Sequence, residues 1–410
     1  MLVKNAHANI VSNNGVITPG ALLLRNFGIG EVPNGGYLQF SPDGSLQSYD
    51  VGTPTGNAVW SVGGDGLFLP DVTALRTPLE RNLVNTYLTY DLTDTVELFG
   101  EFFWGQTEAT EAANQPAYQS GFFGDESFAL NFQSDHPLLT QAAQDELAAQ
   151  GLTDFWLQRS SVDLDPTNNQ VEQELDLWRI VFGFQGSFDF ADRTFNWDVS
   201  YNHGESTSDT RQNDISSERF FYALDVVDTA DGPACRVVAD PDSRPDDPAG
   251  DFGTSLPQNI YDNCVPLDIF GEGRASQEAR DYITAVSTAK TTITQSVYSA
   301  NLNFDAFELP GGSLPIAVGY EHRQEDADFD SGGWISKGIG RSVPVGSING
   351  GYETDEFYIE SVLPIFSPDL EIPFLFNASI EGAYRYVDNA VAGDDDIWTI
   401  GGRYSPWDDL

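Results

Sequence analysis

From Val84 to Trp104 the chain alternates bulky and polar residues, reverses direction across Asp91–Thr95, and alternates again. The first run sets Val84, Thr86, Leu88 and Tyr90 against Asn85, Tyr87 and Thr89. The second sets Val96, Leu98, Gly100, Phe102 and Trp104 against Glu97, Phe99, Glu101 and Phe103. A repeat of two places alternate residues on opposite faces of a β-strand, so this stretch predicts a hairpin with one oily face. The rhythm returns in three further hairpins, built from residues 177–188 with 195–204, 296–304 with 314–323, and 355–365 with 374–386. A last strand follows at 397–404. The parity opposite the oily one carries charge: Glu97, Glu101, Arg179, Asp198, Glu321, Arg323, Glu381 and Arg385.

The connections between these runs alternate in length. Short turns fall near 91–95, 189–194, 305–313 and 366–373. Long ones span 105–172, 205–290 and 324–352, with a shorter member of that set at 388–396. Short turns at one end and long loops at the other are the pattern of a barrel that crosses an outer membrane. Runs of roughly ten residues suit a tilted spanning strand. Tyr90, Trp104, Phe188, Trp197, Tyr201, Tyr386, Trp398 and Tyr404 sit near strand ends, where interfacial aromatic girdles lie. Alternation alone also fits a soluble β-sandwich with one wet face, but loops this long are uncommon in compact domains. The expected fold class is therefore all-β: a partial antiparallel up-and-down transmembrane β-barrel with long extracellular loops. It has ten strands, or twelve if "GGYLQF" and "SLQSYDV" pair into it.

Composition narrows the partners. There are 63 Asp and Glu against 19 Lys and Arg, a formal charge of −44, which repels nucleic acid. No run of 18 apolar residues supplies a transmembrane helix. The start, "MLVKNAHANIVSNNG", has no basic stretch followed by an apolar one and so no signal-peptide pattern; taken literally this implies a cytoplasmic protein, against the strand evidence. The long connections hold much of the acid, with eleven Asp and Glu in 105–172 and seventeen in 205–290, and are expected to form a solvated anionic crown. Two short helices are expected within them, at "HPLLTQAAQDELAAQG" and "ASQEARDYITAV". Cys235 and Cys264 fall in one polar stretch with no CxxC spacing and no histidine beside them. A loop-closing disulfide, and so an oxidising compartment, is the expectation; two free thiols are the alternative.

Catalytic patterns are not found. His7, His136, His203 and His322 are scattered, and no G-x-S-x-G, H-E-x-x-H or P-loop occurs. Asp394, Asp395 and Asp396 could meet a hard cation, but the spaced pattern of a calcium loop is missing, so solvated loop charge is the default. The sequence thus predicts no enzyme and no cofactor.

Several stretches together resemble the barrel portion of TonB-dependent receptors: "PLERNLVNTYLTYDLTDTVELFGEFFWGQTEA", "NCVPLDIFGEGRASQEARDYI", "LPIAVGYEHRQE", "VGSINGGYETDEFYIESVLPI" and "IEGAYRYVDNAVAGDDDIWTIGGRYSPWDDL". The resemblance implies that residues 1–410 are part of a 22-stranded barrel with a plugged lumen in a Gram-negative outer membrane. It implies uptake of a scarce ligand such as a siderophore, a vitamin or an oligosaccharide. The implied partners are outer-membrane lipid and lipopolysaccharide, and the TonB energy-coupling complex acting through a plug region. No plug, TonB-box segment or closing strand is expected from these residues, which makes the chain a fragment that does not transport alone. A passive porin-like barrel and a soluble secreted glycan-binding β-protein are the other two readings.

Overall fold

A computed structural model describes all residues except 1–3, 20–28, 58, 72–75, 113–116, 119–129, 165–169, 245–258, 337–344 and 408–410. Nine strands form one antiparallel sheet: β1 (Leu79–Thr93), β2 (Val96–Ala112), β3 (Gln170–Phe190), β4 (Arg193–Ile215), β5 (Thr284–Leu309), β6 (Gly312–Asp330), β7 (Ile348–Phe366), β8 (Asn377–Asn389) and β9 (Gly393–Ser405). Each strand pairs with the next in sequence, so the sheet is an up-and-down meander from β1 to β9. All four expected hairpins are present, in the expected order. The strands run 13 to 26 residues, well beyond the segments that show alternation.

The turns follow from local chemistry. Between β3 and β4 the reversal takes only Ala191 and Asp192, both with positive φ, 52° and 59°. That is the geometry a two-residue hairpin needs to match the strand twist. At the opposite end, residues 388–396 prove not to be a loop: Asp388 pairs with Asp394 and Asn389 with Gly393, leaving a three-residue turn. The sequence hid this because charged residues there continue the ladder instead of ending it.

Two expectations are corrected by the sheet. "GGYLQF" and "SLQSYDV" do pair, through Leu38–Phe40 and Leu46–Ser48, but they do not extend the barrel wall. They join Val16–Thr18, Asp154–Ser160 and Leu130–Gln133 in a second sheet. The wall therefore has nine described strands, not ten to twelve. The long connections are also more than solvated loop. Among the described residues, the main apolar core lies in them together with the segment before β1, where Ile17, Phe40, Phe155, Phe220, Phe270 and Ile283 are each at most 1% exposed. Three stretches far apart in sequence, 16–48, 130–164 and 215–283, thus pack into one crown. The crown's acid is on its surface, and its few large apolar residues are spent on this core. The acidic segment 245–258 and the tail 408–410 lie outside the described residues.

Both expected helices are present in the crown, as α1 and α3 below, and α2 is one the sequence reading did not anticipate. α1 (Gln141–Ala149) starts at Thr140, whose hydroxyl caps the Ala143 N–H, three residues later than the proline at 137 suggests. α2 (Ser217–Leu224) and α3 (Gln277–Ile283) begin at Ser216 and Ser276, which cap the N–H groups of Arg219 and Ala279. α2 leaves the end of β4 and α3 runs into β5, and the Ser216 N–H donates to the Ile283 carbonyl at 2.9 Å. The crown is thereby tied directly to the wall.

One buried ion pair clamps it. The Arg159 side chain is 2% exposed and reaches Asp163 at 2.6 Å. The same guanidinium donates to the Ser160 and Gly271 carbonyls, and Asp163 accepts from the Gly273 N–H. Removing one partner of a buried pair strands the other charge and costs about 3 kcal/mol or more. Arg159→Ala is expected to lower crown stability by about that amount, read as earlier proteolytic cleavage of the crown with the wall strands intact. Unchanged cleavage kinetics would count against the clamp.

A second test uses pH. The His136 ring lies against Phe132 and Phe270, with centroids 5.3 and 5.1 Å away. Its Nδ1 accepts from the Leu138 N–H and its Nε2 faces the Leu224 carbonyl at 3.1 Å, so the neutral tautomer satisfies both. Burial holds its pKa below the ordinary histidine value. The folded-state pKa is therefore the lower one, and the unfolded chain binds the proton more readily. Crown stability should hold above the unfolded value of about 6.5 and fall as pH drops through it. His136→Gln should flatten that slope in denaturant titrations at pH 5 and 8.

The charged face of the wall as candidate functional site

Residues directly opposite one another in a ladder share a face, so register assigns each side chain to one side of the wall. One row runs Tyr90, Leu98, Phe184, Val199, Ala300, Tyr320, Phe357 and Tyr386. All eight girdle residues expected from sequence fall on this oily face. Its aromatics touch across strands: Phe188, Phe195 and Phe304 near the short turns, at 5.1 and 4.7 Å, and Phe182, Tyr201 and Tyr298 further along, at 5.5 and 4.7 Å. Many stay open in the single chain, with Trp398 72% and Ile400 70% exposed.

The other face holds every charged residue picked from sequence: Glu97, Glu101, Arg179, Asp198, Glu321, Arg323, Glu381 and Arg385. The three arginines expected there are paired. Arg179 meets Glu101 at 2.8 Å and Arg323 meets Glu321 at 2.6 Å. Arg385 meets Glu356 at 2.9 Å, a partner not anticipated from sequence because it lies on the neighbouring strand β7. Amides continue the network, with Gln185 donating to Glu97 at 2.7 Å, Asn301 to Asp198 at 2.8 Å and Gln295 to Glu325 at 2.6 Å. Glycines make room for large side chains on this face. A Cβ on Gly319 would sit 2.1 Å from the Tyr358 ring, whose hydroxyl donates to Asn301 at 2.8 Å.

The polarity of the two faces inverts where β2 and β3 pass the directly opposed pair Trp104 and Trp178. Beyond it the formerly oily parity carries Gln106, Glu108, Glu174, Asp176 and Asp209, while the other parity takes Leu175, Leu177 and Ile293. Gln106 donates to Glu174 at 2.6 Å, and Lys290 pairs with Asp209 at 3.3 Å. The oily band between Trp178 and the turn at Ala191 is thus about a dozen residues deep, enough for a tilted strand to cross hydrocarbon. Sequence reading ended the strands at this point and so missed the inversion, whose signal was a change of phase and not a loss of alternation.

The remaining candidates fall elsewhere. His203 faces Ser296 at 2.9 Å and His322 faces Asp355 at 3.0 Å, both on the oily parity toward the crown end. Asp394, Asp395 and Asp396 lie in β9, opposite Asp388, Val387 and Tyr386, so consecutive carboxylates point to alternate faces and do not converge. Among the described residues no group of three metal-ligating side chains assembles. Cys235 and Cys264 are bonded, with Cα atoms 6.1 Å apart. The bond joins a small hairpin, Val226–Thr229 with Gly232–Cys235, to the Asn259–Asp262 turn, beside buried Tyr261. Closing a loop with a sequence separation of 29 is worth at most about 3.5 kcal/mol by the chain-entropy relation. Reduction, or Cys264→Ser, should release residues 236–263 to protease while leaving the nine-stranded sheet's circular dichroism unchanged; equal protease resistance would show the bond to be dispensable.

Two solved structures resemble this fold. One is the crystal structure of the siderophore receptor PiuA from Acinetobacter baumannii, at 8% identity and a TM-score of 0.26, covering 79% of this chain and 47% of that one. The other is the ferric-catecholate import receptor Fiu from E. coli K12 in its open form, at 8% identity and a TM-score of 0.33, covering 89% of this chain and 50% of that one. The chain spans about half the length of the structures it matches. No protein-family model and no curated protein matches the sequence.

Proposed function

We propose that residues 1–410 form part of the wall and the extracellular crown of a Gram-negative outer-membrane receptor that takes up a scarce small ligand. The observation that carries this is the oily band itself. It lies on one face of an up-and-down sheet, stops at Trp104 and Trp178, and has short turns beyond one margin and the folded crown beyond the other. Lipid and lipopolysaccharide acyl chains cover that face, and the charged face lines an aqueous interior. Energy for uptake comes through the TonB complex, by way of a plug that the wall surrounds. The candidate ligands are a siderophore, a vitamin or an oligosaccharide.

A wall of this kind must close. β1 and β9 each pair along one side only among the described residues, and β1 is exposed throughout. Backbone groups on an open edge have no partner in hydrocarbon, so closure takes further strands beside both. The chain alone, added to protein-free vesicles, should give neither protease-resistant insertion nor conductance. In its own cells the protein should fractionate with the outer membrane, and protease added outside should cut the crown but spare the short turns. Ligand uptake should stop when TonB is removed. Recovery of the protein as a soluble monomer would sink the membrane reading, and uptake that persists without TonB would turn it into a passive pore.

A further inference from the structure

The charged face carries a groove of about 510 Å³ where β1 to β5 run side by side. Tyr87 and Phe103 line it with aromatic surface, and Leu177 and Ile293 add apolar surface on the crown side. Arg179, Glu101, Asn85, Asn202 and Gln295 supply polar groups, and Glu205 and Ser206 complete the lining on β4. Phe103 and Arg179 directly precede and follow Trp104 and Trp178 in sequence, so the groove lies level with the crown-side margin of the oily band. A ligand entering past the crown would meet it there. The volume falls within the range of small-molecule sites, which combine apolar walls with a few placed polar groups.

Two observations select the ligand's chemistry. First, the groove has no spare positive charge. Its one cation, Arg179, is ion-paired to Glu101, and both are close to half exposed, at 49% and 41%. Glu97, Asp198, Glu321 and Glu325 share the face. A polyanion would meet a net negative wall, whereas an uncharged ligand would not. Second, hydrogen-bonding capacity is left over. Arg179 has five N–H donors and gives one to Glu101. The Asn202 Oδ1 is buried without a donor from the described chain, which a bound hydroxyl would satisfy. Aromatic faces beside a guanidinium, a carboxylate and side-chain amides match a sugar, which presents apolar C–H faces and a rim of hydroxyls that both donate and accept.

We infer that this groove binds an uncharged, polyhydroxylated ligand: a segment of a neutral oligosaccharide. The inference rests on the outer-membrane reading above and names its ligand class. The test measures binding of tritiated maltohexaose, cellohexaose, xylohexaose and chitohexaose to intact cells that produce the protein, against cells lacking its gene. A ferric tris-catecholate, a trianion, is the opposing probe. At least one hexasaccharide should show gene-dependent, saturable binding, and the trianion none. Tyr87→Ala and Asn202→Leu should each weaken that binding at least tenfold at equal surface protein. Tyr87 lies on an edge strand and is 75% exposed, so its loss disturbs no packed core. Tyr90→Ala, on the opposite face, should leave the affinity unchanged. Binding of the trianion alone, binding of no hexasaccharide, or binding indifferent to both groove variants would overturn the inference and leave the membrane reading standing. Absence of the protein from the outer surface, read by external protease on the same cells, would remove the membrane reading and the groove's role with it.

Discussion

Every backbone N–H and C=O that enters hydrocarbon needs a partner, and on the outer-membrane reading proposed above this demand organises the rest of the chain. Eight antiparallel ladders meet it, joining nine strands without a crossover. Such ladders are only as good as their register. A slip of one residue would turn Arg179, Glu101 and Asp198 to the oily face and Phe182 and Val199 to the charged one. The alternation therefore does more than mark strands: it fixes which residue opposes which. The two-residue turn at Ala191 and Asp192 leaves the β3–β4 pair little freedom to shift. The cover of Gly319 by the Tyr358 ring has the same effect between β6 and β7, since an aromatic side chain finds that gap in one register only.

Ion pairs on the inner face hold the network in place more than they stabilise it. Pairs as exposed as Arg179 with Glu101, or Arg385 with Glu356, contribute at most about 1 kcal/mol each. Their consequence is electrostatic. They cancel the arginines named on that face and leave several carboxylates uncancelled, in keeping with a chain of formal charge −44. The potential felt inside the wall is thus set by sequence composition and by pairing together, and neither alone predicts it.

Much of the wall could be read from the sequence. The four hairpins, their order, the girdle residues and the charged parity follow from a period of two, and the bonded cysteines from their isolation in one polar stretch. Other features could not be read this way. Phe40 comes from the segment before β1, and Phe155 and Phe270 from two separate connections; they pack against one another at 5.3 to 6.2 Å, yet none sits in a long periodic run. Periodicity reports a continuous face, whereas this core is assembled from single residues on irregular chain. The Arg159 clamp was hidden for the same reason: a lone arginine in an acidic stretch looks solvated until the loop that encloses it, around Gly271, is brought up from over a hundred residues away. At residues 388–396 the error ran the other way, because aspartates that usually signal a loop can also be paired strand residues at the far end of a hairpin.

That last point explains why the strands are so long. Hydrocarbon demands roughly ten residues, but β5 has 26. The excess stands above the Trp104–Trp178 margin, where the outward parity is acidic and the inward one apolar. An outward face in water no longer needs oil, and an inward face beside the crown has apolar surface to offer. The wall thus continues past the oily band and ends in the crown's own packing, through Ile215 on β4 and Ile283 at the foot of β5, both nearly or fully buried. Loops hung on flexible stems would open locally at little cost. Here opening the crown means breaking contacts shared by two connections, the segment before β1 and the wall, so its free energy approaches that of unfolding the crown as a unit.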